Sequence, residues 1–164
     1  MTIAIIADTH LPRGQRHLPE ACLARLRDAE LIFHAGDIST VGALEQLQAL
    51  GPEVIAVRGN VDEPALLERL SVEVEVEIHG ARLGMTHDAG PTDGRLARLH
   101  ARFPRADAVV FGHSHIPLLE AEGSFQIFNP GSPTDRRRQP EHTMGVAHVN
   151  MLEAISFEHV ALGV

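Results

Sequence analysis

The segment Ile3-Ala4-Ile5-Ile6-Ala7-Asp8-Thr9-His10 decides how the rest of the chain is read. Five apolar residues run without a polar interruption, the pattern of a strand covered on both faces rather than one. Such a strand needs parallel neighbours and helices over the sheet, because crossover connections put helices there. The run ends on a carboxylate, with an imidazole two residues on. Both leave the strand at its carboxyl end, the edge where loops of an open α/β sheet converge.

The next segments supply those neighbours. Residues 19–27 read as a helix, with Ala21, Leu23, Ala24 and Leu26 apolar and a proline near the start. Residues 31–33 are a strand. Thr40 caps a helix in which Val41, Leu44, Leu47 and Leu50 keep helical spacing, and Gly51 ends it. Residues 54–57 are a third strand. Alternating strands and helices predict parallel pairing with right-handed crossovers.

Beyond this point the periodicity changes. Val72-Glu73-Val74-Glu75-Val76-Glu77-Ile78 alternates strictly, as a strand with one wet face does. His79-Gly80 turns the chain into a second strand over 81–86, completing a hairpin. Residues 93–103 are helical, with Leu96, Leu99 and Phe103 on one face and arginines and histidines on others. Strands follow at 108–111, 117–121, 125–129, 144–150 and about 154–160. The first part is therefore parallel α/β and the second mostly hairpins, and two packed sheets with helices outside would bury both.

A chain of 164 residues fits one domain, spanning 1–164. The net charge of −8 argues against an extended nucleic-acid surface, which rewards basic patches. Only six Phe and no Trp or Tyr are available for base stacking. All 14 basic residues are arginine, so no lysine Schiff base can form. The single Cys22 excludes an internal disulfide and a four-cysteine zinc site, and its place beside Leu23 and Leu26 makes it a buried structural thiol. The first residues lack a basic region, the apolar run over 3–7 is too short for a signal peptide, and no stretch suits a membrane span. The expected location is the cytoplasm.

Four segments and one isolated residue carry the chemistry: Asp8-Thr9-His10, Gly36-Asp37, Gly59-Asn60-Val61-Asp62, Gly112-His113-Ser114-His115 and His87. They offer two carboxylates, one carboxamide and four imidazoles, hard or borderline ligands suited to Mn, Fe, Zn or Ni. Taken singly, each has an ordinary explanation. Asp8 fits a turn or cap, Gly36-Asp37 and Gly59-Asn60 are common turn dipeptides, and a lone His87 fits a surface or a core. His113 and His115 lie two apart, which on a strand-like segment points both the same way. All five behind predicted strands, in loops that can meet at one edge, point to a metal site. With two divalent cations against two carboxylates the site carries two positive charges, or one with a bridging hydroxide. It would attract a phosphate without a basic protein around it.

These motifs, with Asn129-Pro130-Gly131-Ser132 after them, resemble a calcineurin-like metallophosphoesterase of the small bacterial and archaeal phosphodiesterase type, over residues 3 to about 149. The resemblance implies a four-layer αββα sandwich of two mixed β-sheets flanked by helices. It implies two divalent metal ions, with Mn first and Fe, Ni or Zn as alternatives. Asp8, His10 and His115 would bind the first ion, Asn60, His87 and His113 the second, and Asp37 would bridge them. The implied reaction is hydrolysis of a small phosphoester, a phosphodiester in particular, by a metal-bridging hydroxide. A eukaryotic trafficking subunit resembling this family uses the fold to bind partners, so the alternative function is a non-catalytic, metal-binding interaction scaffold. Exposed sheet edges leave room for a homodimer.

Other residues are less determined. Asp62 either orients a ligand histidine or caps a helix before Glu63-Pro64. Arg58 either touches a substrate phosphate or makes a surface ion pair. Both are kept as catalytic candidates. His34 suits a hydrogen-bonded structural role, Ser132 a turn, and Arg136, Arg137 and Arg138 a solvated run bordering the site. Where many relatives have a leaving-group histidine after the Asn, this chain has Val61. Where Gly often follows the His, it has Asp88.

Overall fold

In the computed structural model, which describes residues 1–152 and 154–164, the chain builds two five-stranded mixed sheets packed face to face with helices outside. The first sheet has the order β10-β9-β1-β2-β3, formed by β1 (Thr2–Ile6), β2 (Leu31–His34), β3 (Glu53–Ala56), β9 (His142–Val149) and β10 (Ile155–Gly163). β1, β2 and β3 are parallel, while β9 and β10 add an antiparallel hairpin at the β1 edge. The second sheet has the order β4-β5-β6-β8-β7, from β4 (Glu73–Ile78), β5 (Ala81–Thr86), β6 (Ala108–Val110), β7 (Leu118–Glu122) and β8 (Phe125–Asn129). Four helices complete it: α1 (Glu20–Asp28), α2 (Val41–Gln48), α3 (Pro64–Arg69) and α4 (Arg95–Arg102).

The side-chain period of two along a strand explains the layering. Ile3 and Ile5 of β1 point between the sheets, where they meet Phe33, Leu83, Met85, Val110 and Phe128. Ala4 and Ile6 point the other way, onto Leu26 of α1, Leu44 and Leu47 of α2 and Leu66 of α3. On the second sheet Val109 and Ile127 face Leu99 and Phe103 on the α4 side. Three apolar seams between four layers make the αββα sandwich that the resemblance implies, and β1 is covered on both faces, as the apolar run at 3–7 predicts. Full burial of each of these Leu, Ile or Phe side chains contributes about 1.5–3 kcal/mol.

The second sheet departs from the hairpin reading. Hairpins exist at β4–β5 and β7–β8, but β5–β6 and β6–β8 are parallel. α4 and the β7 excursion provide the crossovers that parallel pairing needs. The helix read over 93–103 begins at Arg95, because Gly94 takes φ +70° and breaks the helical turn before it. Among the described residues no helix is long and apolar enough to cross a membrane.

Cys22 is fully buried on the sheet-facing side of α1, and burial pushes its thiol up to about 12. A thiol so far above neutral pH stays protonated and unreactive. The native protein should therefore not react with Ellman's reagent at pH 8, and one equivalent should appear in guanidinium chloride. Rapid native labelling would mean that α1 detaches from the sheet.

Candidate metal centre

The carboxyl ends of β1, β2, β3, β5 and β6 meet at one edge, and each continues into a loop bearing a candidate ligand. The β1 and β2 loops run side by side: Asp8 N–H donates to Gly36 O at 3.0 Å and His10 N–H to Asp37 O at 3.0 Å. From the far side, Ser132 Oγ donates to Asp8 O at 2.8 Å and Thr134 Oγ1 to Thr9 O at 2.7 Å. Asn129 Nδ2 donates to Gly112 O at 2.9 Å, tying the end of β8 to the Gly112-His113 loop.

Within these loops five candidate ligands adopt the left-handed backbone region: Asp8 (φ 54°), His10 (48°), Asp37 (59°), His113 (69°) and His115 (60°). Each such residue costs on the order of 1–3 kcal/mol, strain that persists only where surrounding structure enforces it. Two glycines allow the close approach. A Cβ at Gly59 would overlap the Asp37 carboxylate, and one at Gly36, itself at φ +92°, would lie 2.5 Å from His87 Nδ1.

The ligand atoms form two adjoining groups. In the first, His10 Nε2 lies 3.3 Å from His115 Nε2, and Asp8 Oδ1 lies 3.5 Å from His115 Nε2. In the second, Asn60 Oδ1 lies 3.0 Å from both His87 Nε2 and His113 Nδ1. Asp37 Oδ2 stands between them, 3.8 Å from His10 Nε2 and 3.2 Å from His87 Nε2. Its other oxygen accepts from Val61 N–H at 2.9 Å, which turns Oδ2 inward. Asp8-His10-His115 and Asp8-Asp37-His87 are each close enough to hold a metal ion.

Backbone carbonyls set the orientation of two imidazoles. His87 Nδ1–H donates to Ala35 O at 2.8 Å, and His115 Nδ1–H to Asp135 O at 2.6 Å. Since a carbonyl can only accept, each ring presents Nε2 to the site, as a ligating histidine must. Asp8 Oδ2 is buried with no hydrogen-bond partner. Burial pushes the Asp8 carboxyl up to about 7 and the His115 imidazole down to about 4, and lowers His10. Burial works against Asp37 too, but the hydrogen bond and charge of His87 outweigh it and hold Asp37 down at about 2. Burial also depresses His87, yet its bond to Asp37 and the charges of Asp8 and Asp37 leave it above its ordinary value. The unpartnered carboxylate oxygen, the two facing Nε2 atoms and the buried acid pair all fit divalent cations, which would relieve each of them.

Some expectations are revised by this geometry. His113 and His115 do not act as a same-facing pair on a strand: β6 ends at Val110, both residues are left-handed, and they serve different groups. Asp62 neither orients a histidine nor caps α3. Its Oδ1 accepts from Ser39 N–H and its Oδ2 from Gly59 N–H, both at 2.7 Å, joining the Asp37 and Asn60 loops. Among the described residues Arg58 makes no ion pair; Nη1 donates to Leu67 O at 2.9 Å, and the residue lines a cleft of about 220 Å³ with Asn60, Val72 and His87. His34 is fully buried with Nε2 3.0 Å from Thr9 Oγ1, a structural role. A larger cavity, about 640 Å³, opens beside α1 and α2 away from the ligand groups, floored by Leu18, Leu23 and Leu47.

Several supporting residues escaped the sequence reading. The Ala35 and Asp135 carbonyls carry no side-chain signal at all. Arg102 brackets His87, donating Nη1 to Asp88 O at 3.0 Å and Nη2 to Thr86 Oγ1 at 2.9 Å, while Nε pairs with Glu73. Arg98 Nε donates to Ala89 O at 2.9 Å in the same loop. The glycine before Asp37, Asn60 and His113 was the one available hint that backbones approach closely there.

Comparison with known proteins agrees with this geometry. Residues 1–151 match the calcineurin-like phosphoesterase superfamily domain. A protein of Methanothermobacter thermautotrophicus named "Probable metallophosphoesterase" is 36% identical over 136 residues, 82% of this chain and 78% of that one. The phosphodiesterase YfcE of Escherichia coli is 35% identical over 95 residues, 54% of this chain and 48% of its own length. Among solved structures, Vps29 of Entamoeba histolytica complexed with zinc superposes with a TM-score of 0.79 at 21% identity, over 99% of this chain and 100% of that one. Sequence and fold together establish that the chain belongs to the calcineurin-like phosphoesterase superfamily, whose members use divalent metal ions.

Proposed function

We propose that the protein is a dinuclear metal-dependent phosphodiesterase acting on small phosphoesters. The observation that carries this reading is the Asp37 carboxylate, whose Oδ2 faces His10 of one group and His87 of the other. Asp8, His10 and His115 would hold one ion, Asn60, His87 and His113 the other, with Asp37 shared. Two divalent cations there would activate water as the nucleophile and clamp the attacking and leaving oxygens. Mn is the first candidate, with Fe, Ni and Zn alternatives for the same donors.

The chain's own residues decide the rest. Asp8, His10, Asp37, His87 and His115 are buried, whereas Asn60 and His113 are exposed, so substrate enters on the side of the second group. Val61 has no proton to give a leaving oxygen, which favours esters with good leaving groups. The phosphodiesterase name of the E. coli relative supports the diester assignment. A second reading, an interaction scaffold, draws on the apolar rim: Val61 is 40% exposed and Ile116 49% exposed beside the candidate ligands. Hydrolysis would exclude the scaffold reading as the sole function.

Three outcomes are expected. Protein stripped with a chelator should be inactive on bis(p-nitrophenyl) phosphate, and Mn²⁺ should restore turnover with a stoichiometry near two; undiminished activity with no metal by elemental analysis would refute the mechanism.

Asp37→Asn should lose metal and rate more severely than Asp62→Asn, whose effect through neighbouring loops should stay within about 10- to 100-fold. Equal losses in both variants would remove Asp37 from the bridging position.

With no acid at Val61, log kcat should fall steeply as leaving-group pKa rises across a series of aryl and alkyl diesters. A flat plot would reveal another group that donates the proton, an effect typically worth about 10²–10⁴-fold.

A further inference from the structure

The cavity of about 640 Å³ beside α1 and α2 contains none of the candidate ligands. Its volume falls within the roughly 300–1,000 Å³ of small-molecule sites. Leu18, Leu23, Leu47 and Leu50 line it, and Leu23 and Leu50 are only partly buried, so apolar surface stays open to it. Gly42 belongs to the same wall, in the first turn of α2. Glycine is a poor helix former, and here neither a left-handed backbone nor a close neighbour calls for it: a Cβ at Gly42 would meet nothing within 4 Å. What the missing side chain keeps free is space in the cavity.

The polar groups of the wall are unequal. Thr40 Oγ1 is already spent, accepting from Ala43 N–H at 3.2 Å and donating to Leu11 O at 3.4 Å. Glu20 is paired with Arg27 at 2.9 Å. Arg16 uses Nη2 on the Asp135 carboxylate at 3.2 Å, and its other two nitrogens have no partner among the described residues. His17 follows it on the exposed side of the same wall. An apolar floor and a free guanidinium edge suit one kind of molecule. We propose that this cavity binds a small amphipathic carboxylate, its apolar chain on the leucines and its charge at Arg16 and His17. One planar guanidinium fork matches a carboxylate. A doubly charged head would need more than one arginine that Asp135 already half-neutralises. Binding there requires neither metal nor phosphoester.

Calorimetry with decanoate, below its micelle concentration and on the protein as purified, tests the assignment. One equivalent should bind, and decanol, with the same chain and no charge, should bind more weakly. Arg16→Ala should weaken decanoate by up to about five-fold, the worth of an exposed charge pair, and leave decanol unchanged. Arg16→Lys should recover part of the loss. Gly42→Leu should fill the cavity and abolish binding of both, with Tm unchanged or raised, since the new side chain meets no neighbour at its root. Leu50→Gln, at a partly buried position, should weaken both compounds and serves as the second test of the floor. Wild type that ignores decanoate, or full affinity in Gly42→Leu and Leu50→Gln, would overturn the site. Decanol binding as tightly as decanoate, or Arg16→Ala without effect, would overturn the charge preference. A concentration-dependent dimer lost in Gly42→Leu would give the cavity to a second copy instead, and co-sedimentation with phosphatidylglycerol vesicles, lost in the same variant, would give it to a membrane surface.

Discussion

Two carboxylates, Asp8 and Asp37, are held below the surface of this protein, and charge cannot be left there without compensation. Around them the fold gathers four imidazoles and a carboxamide, His10 from the Asp8 loop itself and the others from three further loop segments. His10, Asp37, Asn60, His87, His113 and His115 have little reason to converge except as partners for charge. Much of the architecture serves that convergence. Parallel β1, β2 and β3 deliver three loops to one edge, and β5 and β6 deliver two more from the opposing sheet. The inter-sheet seam of Ile3, Ile5, Met85, Val110 and Phe128 fixes the two edges against each other.

Support for the candidate ligands is mostly main chain. The Ala35 and Asp135 carbonyls aim His87 and His115, and the Val61 amide aims Asp37. Asp62 and Asn129 each tie two loops together. The left-handed backbone at five candidate ligands is the local cost, offset by burial elsewhere in the sandwich. The arginines of α4 belong to the same scheme, since Arg98 and Arg102 fasten the loop that carries His87 to the second sheet.

The candidate ligand types, their order and their position behind strands were readable in the sequence because they depend on local pattern; that their loops converge at one edge is what the structure adds. The two-sided burial of β1 was readable too, from the uninterrupted run Ile3 to Ala7. The parallel partners of β6 were not legible: Val109 reads the same whether its neighbour is β5, β8 or a hairpin strand. Nor was the divergence of His113 and His115, since spacing in sequence fixes direction only on a regular strand, and here the strand ends at Val110. The reading of Asp62 failed because its partners, the amides of Ser39 and Gly59, lie in separate loops and carry no residue signature.

The uneven burial of the two ligand groups has a kinetic meaning. His10 and His115 are nearly sealed from solvent, while Asn60 and His113 face it. An ion in the sealed group could leave only when loops more than a hundred residues apart separate, as the Asp8 to His113 contact shows. An ion in the open group needs no such rearrangement. Two chemically similar sites would then exchange on separate timescales, the sealed one slowly and the open one following the metal supply of its surroundings from moment to moment.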